Sequence, residues 1–189
     1  LGAGAAASAI PAAFPAFSPS FGFEPARPKV QGGFIRLNSN ENPYGPSPKV
    51  KEKLVEALAQ ANRYPVSADQ LTKRIADAHR VTPDRVLIGC GSTELIRVLA
   101  AANARPGKSI ITASPTYEEV GHCAKDYGAE HIKIPLDHEY AHDLDAMLAR
   151  VDNSTALIYI CNPNNPTASI TPRRSIEQFL SKVPPSAVV

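Results

Sequence analysis

Apolar residues recur along the chain first at helical and then at alternating helix and strand spacing. From Ser47, the positions Val50, Leu54, Val55, Leu58 and Ala61 fall on one helical stripe, with Pro48 in the first turn, where a missing N–H costs nothing. A second helix is expected over 67–80, with Ser67 or Asp69 near its start. Short apolar runs then follow at 85–89, 109–113, 130–134 and 155–160. Each precedes a helical pattern, at about 93–103, from about Thr116, over 143–151 and over 172–182. Val188-Val189 reads as the opening of one more buried strand. Strands separated by helical segments require crossover connections, so the expected fold is α/β, a mostly parallel sheet with helices on both faces. In such sheets ligands gather at the carboxyl ends of the strands.

The first 48 residues break this rhythm. Residues 1–23 carry no charge and are mostly Ala, Gly, Ser, Pro and Phe. Two readings stand for them: the apolar stretch of an export signal of the twin-arginine type, or an Ala/Pro-rich leader on a cytoplasmic protein. Pro11 and Pro15 interrupt the stretch well short of the roughly 20 apolar residues a membrane span needs. Residues 24–48 hold five of the 18 prolines, at 25, 28, 43, 46 and 48, and read as an extended arm. The division is therefore a leader over 1–23, an arm over 24–48 and a sheet domain over 49–189 that both ends suggest is incomplete.

Composition narrows the function classes. Hydrophobic residues make up 43% and charged ones 20% of 189, as in ordinary globular chains. A net charge of +2 without a basic run gives no reason to expect nucleic acid or an anionic membrane as partner. Cys90, Cys123 and Cys161 form no C-x-x-C pair and read as small buried hydrophobes, so no metal centre is expected from them. His138-Glu-Tyr-Ala-His142 matches the H-E-x-x-H zinc pattern, but it lies between Pro135 and the helix expected from Asp143, with no apolar stripe to hold it as a helix.

Three segments carry candidate chemistry. Gly89-Cys-Gly-Ser-Thr-Glu94 leads into a helix whose free amides and hydroxyls can cradle a phosphate, or simply cap the helix. Ser114-Pro-Thr-Tyr117 closes the next strand and displays an aromatic ring at the same edge. Cys161-Asn-Pro-Asn-Asn-Pro-Thr167 follows a buried strand with two Asn-Pro units, unsuited to helix or ladder and apt to hold amides rigidly toward a ligand.

These segments, with Leu37-Asn-Ser-Asn-Glu-Asn-Pro-Tyr-Gly45 and Arg63-Tyr-Pro65, occur in the order and spacing of fold-type I aminotransferases that use pyridoxal phosphate (PLP). Over residues 35–189 the chain resembles the histidinol-phosphate aminotransferase branch most closely. The resemblance implies transfer of an amino group between an amino acid and a 2-oxo acid, by a homodimer. It implies that Ser92, Thr93 and Glu94 form the turn for the PLP phosphate, that Tyr117 stacks on the pyridine ring, and that Asn165 bonds the ring's phenolic oxygen. It further implies that Tyr64 reaches the cofactor phosphate of the neighbouring subunit, and that Asn42 and Tyr44 contact substrate. The family's pyridine-pairing Asp, its Schiff-base lysine and its carboxylate-gripping arginine would follow Val189, so no catalytic residue is expected here and the chain alone is expected to be inactive. Lys182 imitates the lysine motif but ends a helix. Two other readings share these motifs: a PLP-dependent decarboxylase of a phosphorylated amino acid, and a non-catalytic remnant of the family. The chain departs from the family at Ala168, where Gly usually follows Asn-Pro-Thr. A left-handed backbone there would cost about 1 kcal/mol or more.

Overall fold

The computed structural model describes residues 39–42, 44–64 and 69–189. The leader expected over 1–23 and most of the arm over 24–48 lie outside them. The chain divides into two compact units near Leu71. In the smaller, helix α1 (Pro48–Leu58) begins as its residues dictate: the Ser47 hydroxyl accepts from the Val50 amide and Pro48 opens the first turn. Its apolar stripe, Val50, Leu54, Val55 and Leu58, is exposed. Helix α2 (Asp69–His79) crosses the boundary between the units and buries Ala76.

In the larger unit, helix α3 (Ser92–Asn103) precedes strand β1 (Ser109–Ser114), helix α4 (Glu119–Asp126) and strand β2 (Glu130–Pro135). Helix α5 (Leu144–Leu148), strand β3 (Thr155–Tyr159) and helix α6 (Arg173–Leu180) follow. The three strands form one parallel sheet in the order β2-β1-β3. Ile111 lies opposite Ile132 on one side and Ile158 on the other.

Side-chain alternation divides the core into two layers. Ile110 and Leu157 face α3 and α4, packing with Val120, Ala124 and the partly buried Ile96. Their neighbours Ile111, Ile132, Ile134 and Ile158 face α5 and α6, packing with Met147 and Phe179. The central strand is therefore apolar on both sides, as a sheet covered on both faces requires. Beyond β3, Val188 bridges Leu157 in parallel, with its amide donating to Ala156 O at 3.0 Å and its carbonyl accepting from Ile158 N at 2.8 Å. This is the strand opening expected at Val188-Val189. No described helix is long and apolar enough to cross a membrane.

The run at 85–89 departs from expectation. A 3-10 turn occupies Pro83–Arg85, and residues 86–89 continue extended but unpaired, with Leu87 67% exposed. An apolar run becomes a strand only against a ladder partner, and no described strand pairs with this one. The helix expected from Thr116 starts at Glu119 because Pro115–Glu118 turn first. The helix expected over 143–151 is shorter, capped by the Asp143 carboxylate on the Ala146 amide at 2.9 Å.

After β3 the backbone closes a compact loop. Asn164 N donates to Ser169 O at 2.9 Å and Ala168 N to Asn164 O at 2.7 Å. Closure places Ala168 at φ +58°, in the left-handed region. Ala168→Gly removes a methyl strain of about 1–2 kcal/mol, partly offset by the greater freedom of glycine in the unfolded chain. The substitution should raise stability by about 0.5–1 kcal/mol, read as a higher urea midpoint at unchanged slope. A lower midpoint would contradict it.

Candidate active site

Segments 115–117 and 161–169 meet beyond the carboxyl ends of β1 and β3, and segment 89–94 reaches them through Tyr117. Segment 89–94 is shaped by glycine and glutamate. A Cβ on Gly89 would lie 2.8 Å from Glu94 Oε2 and 2.9 Å from Leu95 Cδ2, so the turn closes only around a bare Cα. The Glu94 carboxylate reaches back to the Cys90 amide, a capping arrangement that commits this side chain to the start of α3. Gly91 precedes Ser92 and Thr93 with φ +86°, and a Cβ there would meet nothing within 4 Å. The first amides of α3 lack partners within the helix and stand at the positive end of its dipole. From this turn the Thr93 hydroxyl reaches the Tyr117 hydroxyl at 3.3 Å.

The other two segments are tied by Asn164. Its side chain is buried, 2% exposed. Asn164 Oδ1 accepts from the Thr116 hydroxyl at 2.7 Å, and Nδ2 donates to Pro115 O at 3.2 Å and to Thr167 Oγ1 at 2.8 Å. Asn162 is likewise used internally: it donates to Thr171 O and accepts from Thr171 N, both at 3.0 Å. With two of the three loop asparagines committed, Asn165 is the one that lines a cavity of about 470 Å³ with Thr116, Tyr117, Glu118, Glu119 and Pro166. A larger cleft of about 760 Å³ runs along the outer edge of β2 past Lys133 and His131, and joins this cavity at Thr116–Glu118 and His122.

The expected site residues therefore divide. Tyr117 meets Thr93, which follows Ser92 in the first turn of α3, and lines the cavity with Asn165. Asn42, Tyr44 and Tyr64 belong to the smaller unit, where the Tyr44 amide donates to Asn42 Oδ1 at 3.0 Å and Tyr64 is 95% exposed. Thr116, Asn162 and Asn164 were not singled out from sequence. Three asparagines within four residues after a strand were the available signal, but nothing local distinguishes the clamp from the ligand-facing amide.

Electrostatics around the cavity are mixed. Glu119 pairs with Arg97, and this contact raises the guanidinium above its ordinary value. Burial, then Lys133 and His122, lower the His131 ring below the usual histidine range, and its Nε2 meets the Thr112 hydroxyl at 2.9 Å. Burial and the Cys161 thiol push the Tyr159 hydroxyl upward, so it stays protonated. Of the cysteines, Cys123 is buried as expected, but Cys90 is exposed and Cys161 half-buried. Cys90 sits in the open turn and Cys161 where the chain leaves β3, so neither reaches a core layer. In the H-E-x-x-H segment, His138 points to solvent while His142 is buried and meets Cys161 O at 2.8 Å. Among the described residues no three His, Cys, Asp or Glu side chains are grouped to hold a metal.

Comparison with known proteins places this arrangement. Residues 33–187 match the family model "aminotransferase class I and II". The chain is 41% identical over 155 residues to histidinol-phosphate aminotransferase of Staphylococcus carnosus, covering 82% of this chain and 44% of that protein. It is 39% identical over 158 residues to an aromatic amino acid aminotransferase of Rhodococcus jostii, covering 83% and 44%. It thus spans less than half the length of these relatives. A crystal structure from Erwinia carotovora assigned to the histidinol-phosphate aminotransferases superposes with a TM-score of 0.75 at 34% identity, over 82% of this chain and 45% of that one. The histidinol-phosphate aminotransferase of Sinorhizobium meliloti, solved in complex with pyridoxal-5'-phosphate, has the same fold, with a TM-score of 0.75 at 23% identity over 79% and 41%. A parallel sheet with an open helix terminus, an aromatic ring and a clamped Asn-Pro loop at its carboxyl edge, matched along most of its length by this family, identifies the chain as a member of the class I and II aminotransferases.

Proposed function

We propose that the full-length protein is a PLP-dependent transaminase and that this chain supplies half of its cofactor site. One observation carries the reading: Tyr117, in the turn after β1, meets Thr93 of α3 and lines one cavity with Asn165 from the loop after β3. The residues fit the cofactor. The space above Gly91 admits a phosphate beside the amides and hydroxyls of Ser92 and Thr93. Tyr117 offers an aromatic face to a flat ring, and Asn165 an amide to a ring oxygen. Glu94 supports the phosphate turn through the Cys90 amide. Bound PLP supplies an electron sink for charge released at the substrate α-carbon. This chain's part is to bind, orient and hydrogen-bond; the proton-moving groups lie elsewhere in the full-length protein.

The smaller unit completes the proposal. Exposed Tyr64 would reach the phosphate bound by a second subunit, and Asn42 and Tyr44 would contact substrate. Relatives named for histidinol phosphate and for aromatic amino acids both support amino donors that carry a flat ring, with a 2-oxo acid as acceptor.

The test is to load the full-length protein with PLP and offer histidinol phosphate or phenylalanine with 2-oxoglutarate. Amino transfer is expected with at least one donor. Release of carbon dioxide without transfer would make the protein a decarboxylase, and absence of any turnover a remnant. Tyr117→Ala should weaken PLP binding about tenfold through loss of the stacked ring. Tyr64→Phe should weaken it by about one to two orders of magnitude, the worth of a hydrogen bond to a charged group. In mixed dimers with subunits lacking the cofactor lysine, Tyr64 acting in trans leaves one intact site. Unaltered affinity in both single variants would contradict the assignment.

A further inference from the structure

Residues 137–142 form no metal site, yet the structure gives them specific work. This connection between β2 and α5 holds the loop at 161–169 at both of its ends. At the entrance, His142 meets the Cys161 carbonyl at 2.8 Å through Nε2. A carbonyl only accepts, so Nε2 carries the proton. The pairing of β3 with β1 ends at Tyr159, so the Cys161 carbonyl lies beyond the ladder. At the exit, Thr167 Oγ1 donates to the Tyr140 carbonyl at 3.0 Å, and Ser169 Oγ donates to the same oxygen. The turn that presents this oxygen is fixed by Asp137, whose Oδ1 accepts from Glu139 N at 2.8 Å and Ala141 N at 2.9 Å and leaves Tyr140 at φ +59°.

His142 is an expensive residue for this place. The ring is 4% exposed, and Nδ1 is buried without a hydrogen-bond partner. An apolar side chain would fill the space between α5 and the loop without that unsatisfied nitrogen. What an apolar side chain cannot do is donate to Cys161. We infer that His142 is a positioning residue: its Nε2–H, together with the Tyr140 carbonyl, sets where the loop stands at the sheet edge and so where Asn165 meets the cavity. The inference rests on the cofactor role proposed for Asn165, but the geometry of the brace does not.

Amide hydrogen exchange of the full-length protein, with and without PLP, tests it. The reporters are the Asn164 and Ala168 amides, which are bonded inside the loop. His142→Leu keeps the bulk and loses the donor. It should speed loop exchange about tenfold without PLP and weaken PLP binding about tenfold, with β1 exchange unchanged. His142→Gln carries an amide N–H near the Nε2 position and should restore both to within about threefold of wild type. Ser169→Ala, which removes one tether at the exit, should speed loop exchange about threefold; if His142→Leu does not fold, His142→Phe, which keeps a ring and loses the donor, is read in its place. Loop exchange at the wild-type rate in His142→Leu, or equal damage in Gln and Leu, would overturn the inference and leave His142 as packing. If wild-type protein binds no PLP, the cofactor reading fails, and the exchange rates still decide whether His142 braces the loop.

Discussion

One buried amide holds the site together. Asn164 sits between the turn after β1 and the loop after β3, with both ends of its side chain bonded, one to Thr116 and the other to Pro115 O and Thr167. Strand pairing alone would not align these segments, because the ladder between β1 and β3 runs out at Thr112 and Tyr159. Beyond it, the relative placement of Tyr117 and Asn165 depends on side chains. A fully satisfied buried amide is strongly directional, since each lost partner leaves a group desolvated and unpaired. Ordering at the mouth of the cavity follows from it.

The sheet provides the platform that makes such a clamp possible. Parallel strands bring successive carboxyl ends to one edge, and two apolar layers, one around Ile110 and one around Ile111, fix the strands from both faces. The turn after β1 and the loop after β3 both lie at that edge. There the chain accepts local costs, including the left-handed Ala168 and the unpaired Nδ1 of His142. Departures of this kind concentrate at functional sites because the surrounding packing over-determines them.

How far the sequence was legible follows from the range of each interaction. Strands β1 to β3 and helices α1 to α6 declare themselves through apolar spacing, which is local, while their ends shift by a few residues, as at the Asp143 cap and the turn at 115–118. The run at 85–89 is locally a strand yet remains unpaired, because a ladder partner is not a local property. The site was legible as a set of motifs, of which Tyr117 touches Thr93 and shares a cavity with Asn165. The distinct roles of Asn162, Asn164 and Asn165 were not, since Asn164 answers to a threonine 48 residues away. His142 was hidden for the same reason: its segment reads as a solvated loop, whereas the ring is buried and its partner is a carbonyl 19 residues on.

If the Asn164 clamp sets the site, the most direct measurement is PLP affinity of the full-length protein carrying Thr116→Val, which keeps the shape of the side chain and deletes the hydroxyl donor to Asn164. The clamp predicts affinity lower by about tenfold and stability lower by about 1–3 kcal/mol, the cost of leaving a buried acceptor unpaired. Wild-type affinity in that variant would contradict the account, since the two loops would then hold Tyr117 and Asn165 in place without it.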